Sequence, residues 1–98
     1  MVRRPSPQTL SVIDTFLEEP QVWLHGYDIA KTLGMASGTL YPILIRLSDR
    51  GHLETQWRDS EADGRPPRHM YRLTATGRAW AGAAAHQSRI LKIAEGLA

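Results

Sequence analysis

The 98-residue sequence predicts an α+β, mainly α fold, a winged helix-turn-helix with a C-terminal dimerisation helix. Two short helical segments are joined by a tight turn that contains glycine. They are followed by two stretches that alternate as strands around a loop rich in proline and glycine. A long alanine-rich segment with helical periodicity comes last. We therefore assign residues 6–74 to the winged helix-turn-helix domain and residues 75–98 to the dimerisation helix.

The first helix is predicted from its cap and its apolar spacing. Ser6 is a suitable N-cap, and Pro7 fits the first helical position because the N–H that it lacks would have no partner there. Apolar residues recur at helical spacing until Pro20 ends the segment. Residues 21–25 are β-prone, and Gly26 ends that stretch before the next helix begins.

The second and third helices are separated by a minimal connector. The second helix covers residues 27–33 and stops at Gly34. Ser37 is the predicted N-cap of the third helix, which runs to Arg50 and is closed by Gly51.

The third helix has an apolar face and an exposed face. Its core side carries Leu40, Ile43, Leu44 and Leu47, and the opposite side carries Gly38, Thr39, Pro42, Ile45, Arg46 and Asp49, with Tyr41 at the flank. A proline this far into a helix removes a backbone hydrogen bond and crowds the preceding turn. We therefore expect a tightened or kinked first turn at Pro42.

A β-hairpin and a long helix complete the predicted fold. Residues 52–58 and 69–74 alternate as strands, and residues 59–68 form the loop between them. Thr74 can cap a final helix that runs from Ala75 to about residue 96. The core of so small a domain cannot bury the broad apolar stripe of this helix. We therefore expect the helix to meet a second copy of the chain, either pairing antiparallel with its mate or wrapping the partner's first helix. The predicted dimer interface consists of Trp80, Ala83, Ala84, Gln87, Ile90, Leu91, Ala94 and Leu97.

The composition excludes several classes of protein. There is no cysteine, and no apolar run reaches the roughly 18 residues that a membrane span requires. The basic residues near Met1 are followed by no apolar segment of a secretion signal, so we expect a cytoplasmic, nucleoid-associated protein. The four histidines lack metal-ligand spacing, and no catalytic motif is present, so we predict no metal, no cofactor and no enzymatic activity.

The charge is distributed unevenly along the chain. Residues 1–64 hold six Lys/Arg against nine Asp/Glu, a net charge of −3, whereas residues 65–98 hold six against one, a net charge of +5. Ten of the twelve cationic residues are Arg, whose planar group suits phosphate and guanine. A genome that favours Arg codons would explain the Arg excess equally well.

Two strings in the sequence are similar to a known family. Gly26–Ala30 together with Ser37–Leu47, which contains Gly-Thr-Leu-Tyr-Pro, resembles the core of the PadR-type transcriptional regulators. The run Gly64–Gly77, with its Gly-Arg-Pro-Pro-Arg, resembles the wing and the start of the last helix in that family. The resemblance implies a homodimeric repressor of the short subfamily. Its third helix would enter the major groove of a pseudo-palindromic operator in double-stranded DNA, and its wing would reach the backbone or the minor groove.

The predicted DNA-binding residues lie on the third helix and in the wing. They are Ser37, Gly38, Thr39, Tyr41, Pro42, Arg46, Arg65 and Arg68. A helix N-terminus offers free N–H groups to phosphate, hydroxyls add further contacts, and Arg46 can reach a guanine edge or a phosphate. A purely structural role stays open for three of them. Ser37 can serve merely as a helix cap, Tyr41 can be a packing residue, and Arg46 can be a solvated surface charge.

The wing loop also contains acidic residues. Asp59, Glu61 and Asp63 precede Gly64 and would be repelled by phosphate. Either the tip bends away from DNA, or the acids pair with arginines inside the wing, Arg58 and Arg65 being the candidates.

Two further functions are compatible with the sequence. The resemblance implies that a flat apolar or aromatic effector can bind between subunits, with Trp80 as the aromatic wall, although Trp80 can equally be a packing residue. A rival hypothesis is a protein-interaction adaptor, since winged helices also dock onto proteins. An exposed apolar patch on the third helix would favour the adaptor, and Ile45 is the hint of one.

Overall fold

A computed structural model describes residues 4–59 and 64–97, the side chain of Leu97 excepted. The elements are α1 (Pro7–Glu18), β1 (Leu24–His25), α2 (Gly26–Leu33), α3 (Ser37–Asp49), β2 (Leu53–Arg58), β3 (Arg68–Leu73) and α4 (Ala75–Leu97). The predicted fold class is confirmed, because a mainly helical chain carries a small antiparallel sheet in the order of a winged helix-turn-helix.

Helix α1 begins as its sequence predicts. The Ser6 hydroxyl accepts a hydrogen bond of 3.2 Å from the Thr9 backbone N–H, and Pro7 occupies the first helical position. The inward side of the helix buries Val12, Ile13 and Phe16 completely or almost so. The amphipathic pattern therefore places α1 at the centre of the core.

Helix α2 starts one residue earlier than predicted and is preceded by a shorter strand. Gly26 is the first helical residue and is buried, because the ring of Tyr41 lies directly against its Cα. The β-prone stretch pairs only at Leu24 and His25, since the Val22 N–H is engaged in a turn with the Glu19 carbonyl. Gly34 ends α2 in the left-handed conformation, with φ 63°.

Helix α3 differs from the prediction at its first residue. Ser37 is not the N-cap, because it already has helical geometry and its side chain makes no capping bond. Ala36 is the cap residue, and its carbonyl accepts from the N–H groups of Thr39 and Leu40 at 3.0 Å each. The bond from Thr39 spans only three residues, so the first turn is tight, and the helix continues through Pro42 to Asp49.

The sheet has the order β1-β3-β2 and is antiparallel throughout. In the hairpin Leu53 pairs with Leu73, and the register continues to Arg58 opposite Arg68. Strand alternation gives the hairpin two faces. One face buries Leu53, Tyr71 and Leu73 in the core, and on the other face Arg72 pairs with Glu54 at 2.5 Å.

Helix α4 is attached to the end of α3 through Thr74. The Thr74 hydroxyl accepts from the Gly77 N–H at 2.9 Å, as an N-cap does, and donates to the Gly51 carbonyl at 2.7 Å. Ala81 and Ala85 are buried on the side of α4 that packs against the rest of the molecule. The predicted cap and the predicted helix are both present.

Candidate nucleic-acid interface

The outward side of α3 is a continuous exposed face. The core residues Leu40, Ile43, Leu44 and Leu47 are buried as predicted. On the opposite side every predicted residue is exposed, namely Gly38, Thr39, Pro42, Ile45, Arg46 and Asp49. Since α3 lies at the surface along its whole length on this side, a groove-shaped partner can approach it without any rearrangement.

The N-terminus of α3 belongs to this exposed face. Ser37 and Gly38 are both exposed, and the first N–H groups of a helix have no partner within it. No atom of residues 4–59 or 64–97 lies within 4 Å of the position where Gly38 would carry a Cβ, so its backbone is open to approach. The positive end of the helix dipole therefore faces outward and favours an anion.

Tyr41 occupies a different environment from the other predicted residues. Its ring is half-buried and lies against Gly26, where a Cβ would come 2.9 Å from the Tyr41 hydroxyl oxygen. Burial, and then the neighbouring Tyr41 phenol, raise the pKa of the Tyr71 phenol. Tyr41 thus packs α2 against α3, and its contact with DNA stays a prediction.

The base of the wing is cationic. Arg58 and Arg68 lie directly opposite each other in the hairpin, and Arg65 with the two prolines that follow it is exposed. Among residues 4–59 and 64–97, no carboxylate forms an ion pair with these three arginines. Glu61 and Asp63, which could pair with Arg58 or Arg65, fall outside the described residues, whereas Asp59 is exposed.

An exposed aromatic pair on the wing was missed by sequence reasoning. Trp57 is 68% exposed and stacks on His69, with ring centroids 4.3 Å apart and planes 13° from parallel. The Nδ1 atom of His69 in turn lies 3.0 Å from the Tyr71 hydroxyl oxygen. Strand alternation alone would have placed Trp57 and His69 on the core-side face, but at this point the hairpin has left the core.

The predicted dimer face of α4 is largely uncovered in the single chain. Ala83, Gln87, Ile90 and Ala94 are exposed, whereas Trp80, Ala84 and Leu91 are half-buried, and the side chain of Leu97 lies outside the described residues. Ile93, which the predicted stripe omitted, is 64% exposed. A groove of about 1020 Å³ runs between the start of α1 and α4, with Leu10, Trp80 and Leu91 in its lining.

Trp80 also takes part in the junction between α3 and α4. Its indole stacks on the imidazole of His52, with centroids 4.1 Å apart and planes 4° from parallel. The Nδ1 atom of His52 is buried and has no hydrogen-bond partner among the described residues. Burial, and then the charge of Arg50, lower the pKa of His52.

Residues 4–59 and 64–97 contain no cluster of three or more His, Cys, Asp or Glu arranged to hold a metal ion. None of the helices in this part of the chain is both long enough and apolar enough to span a membrane.

Comparisons with known proteins agree with this geometry. The family model described as the transcriptional regulator PadR-like family matches residues 17–83, so the chain belongs to the PadR-like family of transcriptional regulators. A PadR family transcriptional regulator from Eggerthella lenta has 27% sequence identity and a TM-score of 0.73, with 88% of this chain and 79% of that chain covered. No curated protein is a significant match.

Two more distant structures share the fold. A PadR family transcription regulator from Clostridium difficile has 20% identity and a TM-score of 0.73, over 90% of this chain and 95% of that one. The PcaV transcriptional regulator from Streptomyces coelicolor, solved in complex with its natural ligand, has 23% identity and a TM-score of 0.66, over 95% and 64% of the two chains. The winged helix-turn-helix fold and the family support DNA-binding transcription regulation, and proteins of this family are regulators rather than enzymes.

Proposed function

We propose that this protein is a homodimeric transcriptional repressor that binds a pseudo-palindromic operator in double-stranded DNA. The observation that supports it best is the combination of an exposed α3 face, with its free helix N-terminus, and a wing whose base presents Arg58, Arg65 and Arg68. Phosphate is the natural partner of both, because it accepts hydrogen bonds and carries negative charge. Helix α3 enters the major groove, and the arginines of the wing contact the backbone or the minor groove.

The proposed dimer forms through α4. Its exposed stripe from Ala83 to Ala94, with Ile90 51% exposed, would leave apolar surface in water if the chain were monomeric. A two-fold dimer presents two copies of α3 to two half-sites, which are about 34–36 Å apart when they are separated by one helical turn of DNA. The operator is therefore expected to be an inverted repeat.

We also propose that a small apolar or aromatic effector relieves repression. The groove that contains Trp80 adjoins the proposed dimer face, so a ligand bound there can alter how two copies pack. PcaV, which shares the fold, was solved with its natural ligand. Binding of a planar aromatic at Trp80 would be detected as a change in its fluorescence, and an unchanged spectrum across a panel of such compounds would contradict the proposed effector.

A cytoplasmic, nucleoid-associated location follows from this proposal, because a repressor acts where the chromosome is.

The second candidate function is a protein-interaction adaptor, which the 57% exposure of Ile45 on α3 favours. The two candidates differ in whether the affinity for DNA depends on salt and on sequence.

The test is a binding titration of the purified protein against the DNA upstream of its own gene. Fluorescence anisotropy at several salt concentrations, with random duplex of equal length as the control, measures both dependences. We expect a linear decline of log affinity with log salt and a preference for the promoter fragment. An affinity that is independent of salt, with no preference over random duplex, would refute the repressor and favour the adaptor.

A further inference from the structure

The exposed face of α3 divides into a central stripe and two flanks. Helix positions separated by four and seven residues lie in one line along the axis. Gly38, Pro42, Ile45 and Asp49 form such a line, and all four are exposed. This line, which we call the central stripe, lies on the side opposite the buried core residues of α3.

The central stripe offers almost no hydrogen-bonding side chains. Gly38 has no side chain, and Pro42 and Ile45 present only hydrocarbon. Asp49, in the last turn, is its one polar member, so the stripe is apolar or bare from Gly38 to Ile45, about two turns of the helix. A helix face that meets only water would not be expected to concentrate its apolar residues along its middle line.

The two flanks are polar. Thr39 and Arg46 lie along one side of the central stripe, and Arg50 follows directly after the helix on the same side; all three are exposed. Ser37 and Tyr41 lie along the other side. Hydroxyl and guanidinium groups are the side chains that hydrogen-bond phosphate oxygens. The exposed face of α3 thus has phosphate-binding groups at its edges and hydrocarbon along its middle.

The major groove of DNA has the same lateral order. Phosphates line both of its walls, and the base edges form its floor. Most groups on that floor are hydrogen-bond donors or acceptors, but thymine presents an apolar C5-methyl group, which apolar side chains contact. Guanine is most commonly recognised by Arg or Lys, and the central stripe has neither, because Arg46 lies on a flank.

We propose that α3 recognises thymine through its methyl group, with Ile45 as the specificity-determining residue and Pro42 beside it. This inference rests on the proposed repressor function and names the base that the same face selects. Each operator half-site therefore contains an A·T pair whose thymine methyl faces Ile45. Arg46, Arg50 and Thr39 hold the helix in the groove through phosphates and contribute little sequence preference.

The surroundings of Ile45 argue against a protein partner on this face. Single exposed apolar residues are common on protein surfaces, so exposure by itself decides nothing. A protein-docking site needs a wide apolar patch, whereas polar flanks confine the apolar part of α3 to a single line. Two arginines beside that line favour a polyanion instead.

The test replaces thymine by deoxyuridine, which lacks only the C5-methyl group. The operator is first located by footprinting. It is then synthesised as a series in which deoxyuridine replaces thymine at one position after another, in one half-site or at the equivalent position of both. Burial of one methyl group contributes about 0.8 kcal/mol, which is about 4-fold in affinity for one half-site and about 16-fold for both. Anisotropy titrations compare the wild-type protein, Ile45→Ala and Val22→Ala, an exposed apolar control outside α3.

We expect the wild-type protein and Val22→Ala to lose affinity on deoxyuridine at the same position. Ile45→Ala should bind the thymine operator more weakly and should no longer distinguish it from the deoxyuridine operator at that position. Circular dichroism checks that the exposed substitution leaves the fold intact.

Two results would overturn the inference and leave the repressor in place. One is specific operator binding that no deoxyuridine substitution weakens, and the other is equal discrimination by Ile45→Ala and wild type. A failure of the wild-type protein to prefer its operator over random duplex would instead remove the proposed function, and this inference with it.

Discussion

His52 and Gly77 fix the junction at which α3, the hairpin and α4 meet. The His52 N–H donates to the Leu47 carbonyl at 2.9 Å, and its carbonyl accepts from the Thr74 N–H at 3.1 Å. Its imidazole is covered on one side by Trp80. The backbone of Gly77 passes so close that a Cβ on this residue would overlap the His52 carbonyl. His52 therefore links the end of α3 to the end of the hairpin and to α4.

The first prediction concerns the glycine at this contact. Gly77→Ala should lower the free energy of unfolding by about 3 kcal/mol, at the upper end of overpacking effects, because the obstructing atoms belong to rigid backbone. Urea denaturation followed by circular dichroism measures the change. Gly82→Ala is the matched control, since no atom in the described part of the chain lies within 4 Å of its Cβ position, and it should stabilise α4 by about 0.5–1 kcal/mol. Equal effects of the two substitutions would contradict the close approach.

The second prediction concerns the pH dependence of stability. Burial, and then the charge of Arg50, lower the pKa of His52 in the folded protein below its ordinary 6.5. At pH values between the folded pKa and 6.5, the unfolded chain therefore binds a proton more readily than the folded protein does. The free energy of unfolding should therefore fall as the pH falls below about 6.5, and this contribution should level off below the folded pKa. His52→Phe keeps an aromatic ring against Trp80 and removes the titration. Urea denaturation from pH 7.5 to 5 should show a shallower decline for the variant, and identical pH profiles would exclude His52 as its source.

Some residue-scale features could be predicted from sequence and others could not. Ser6 and Thr74 were identified as caps because a cap depends on its own side chain and the next three residues. Ser37 was wrongly given that role, since Ala36 adopts the cap conformation and the serine is already helical. The sequence offers no reason why Gly77 must be glycine, because the obstructing carbonyl comes from a residue 25 positions earlier.

At the scale of elements, the wing combines two faces with different chemistry. Beyond Met70 and Tyr71 the hairpin is no longer covered by β1. Trp57 and His69 lie on one face of this free part, and Arg58 and Arg68 on the other. Like charges directly opposite each other in a hairpin destabilise it. An anion between them would relieve that repulsion, which supports the proposed contact of the wing with phosphate.

The third prediction tests that contact. Arg68→Ala should weaken binding on all DNA sequences to a similar extent and reduce the slope of log affinity against log salt by about 1 for each half-site, or about 2 for the dimer on a full operator, because each protomer loses one phosphate contact. Anisotropy titrations at several salt concentrations measure the slope. Arg89→Ala is the control, since it removes the same charge from an exposed site on α4. An unchanged slope for Arg68→Ala, or an equal reduction for Arg89→Ala, would place the contact elsewhere.

The elements themselves were largely predictable, because each has a periodic apolar side. Helices α1, α3 and α4 and both hairpin strands lie within about a residue or two of their predicted bounds, as the usual uncertainty of element ends allows. The exposed pair Trp57 and His69 was not predicted, since a strand pattern does not show where the core ends. The exposed side of α3 was predicted residue by residue, whereas contacts such as that of Tyr41 with Gly26 depend on how two helices pack.

At the scale of the whole molecule, α4 exposes apolar side chains along its second half in the single chain. The helix is anchored at its start by Thr74, Ala81 and Ala85, whereas in its second half Ile90, Ile93 and Ala94 are exposed. A second copy that covered this surface would complete the burial that a single small chain cannot achieve. Under the proposed function the same contact sets the distance between two copies of α3, so dimerisation and operator binding should fail together.

The fourth prediction follows from that coupling. Ile90→Glu places a charge in the proposed interface, where burial without a partner is costly, so the dimer should dissociate into folded monomers. Sedimentation velocity measures the mass, and anisotropy compares a full inverted repeat with a single half-site. Because Ile90 is 51% exposed in the single chain, the monomer should keep its helical circular dichroism and its weak half-site binding, but lose the extra affinity for the full repeat. Gln21→Glu adds the same charge at an exposed loop and should leave both measurements unchanged. If Ile90→Glu remained dimeric, the interface would have to lie on another part of the chain.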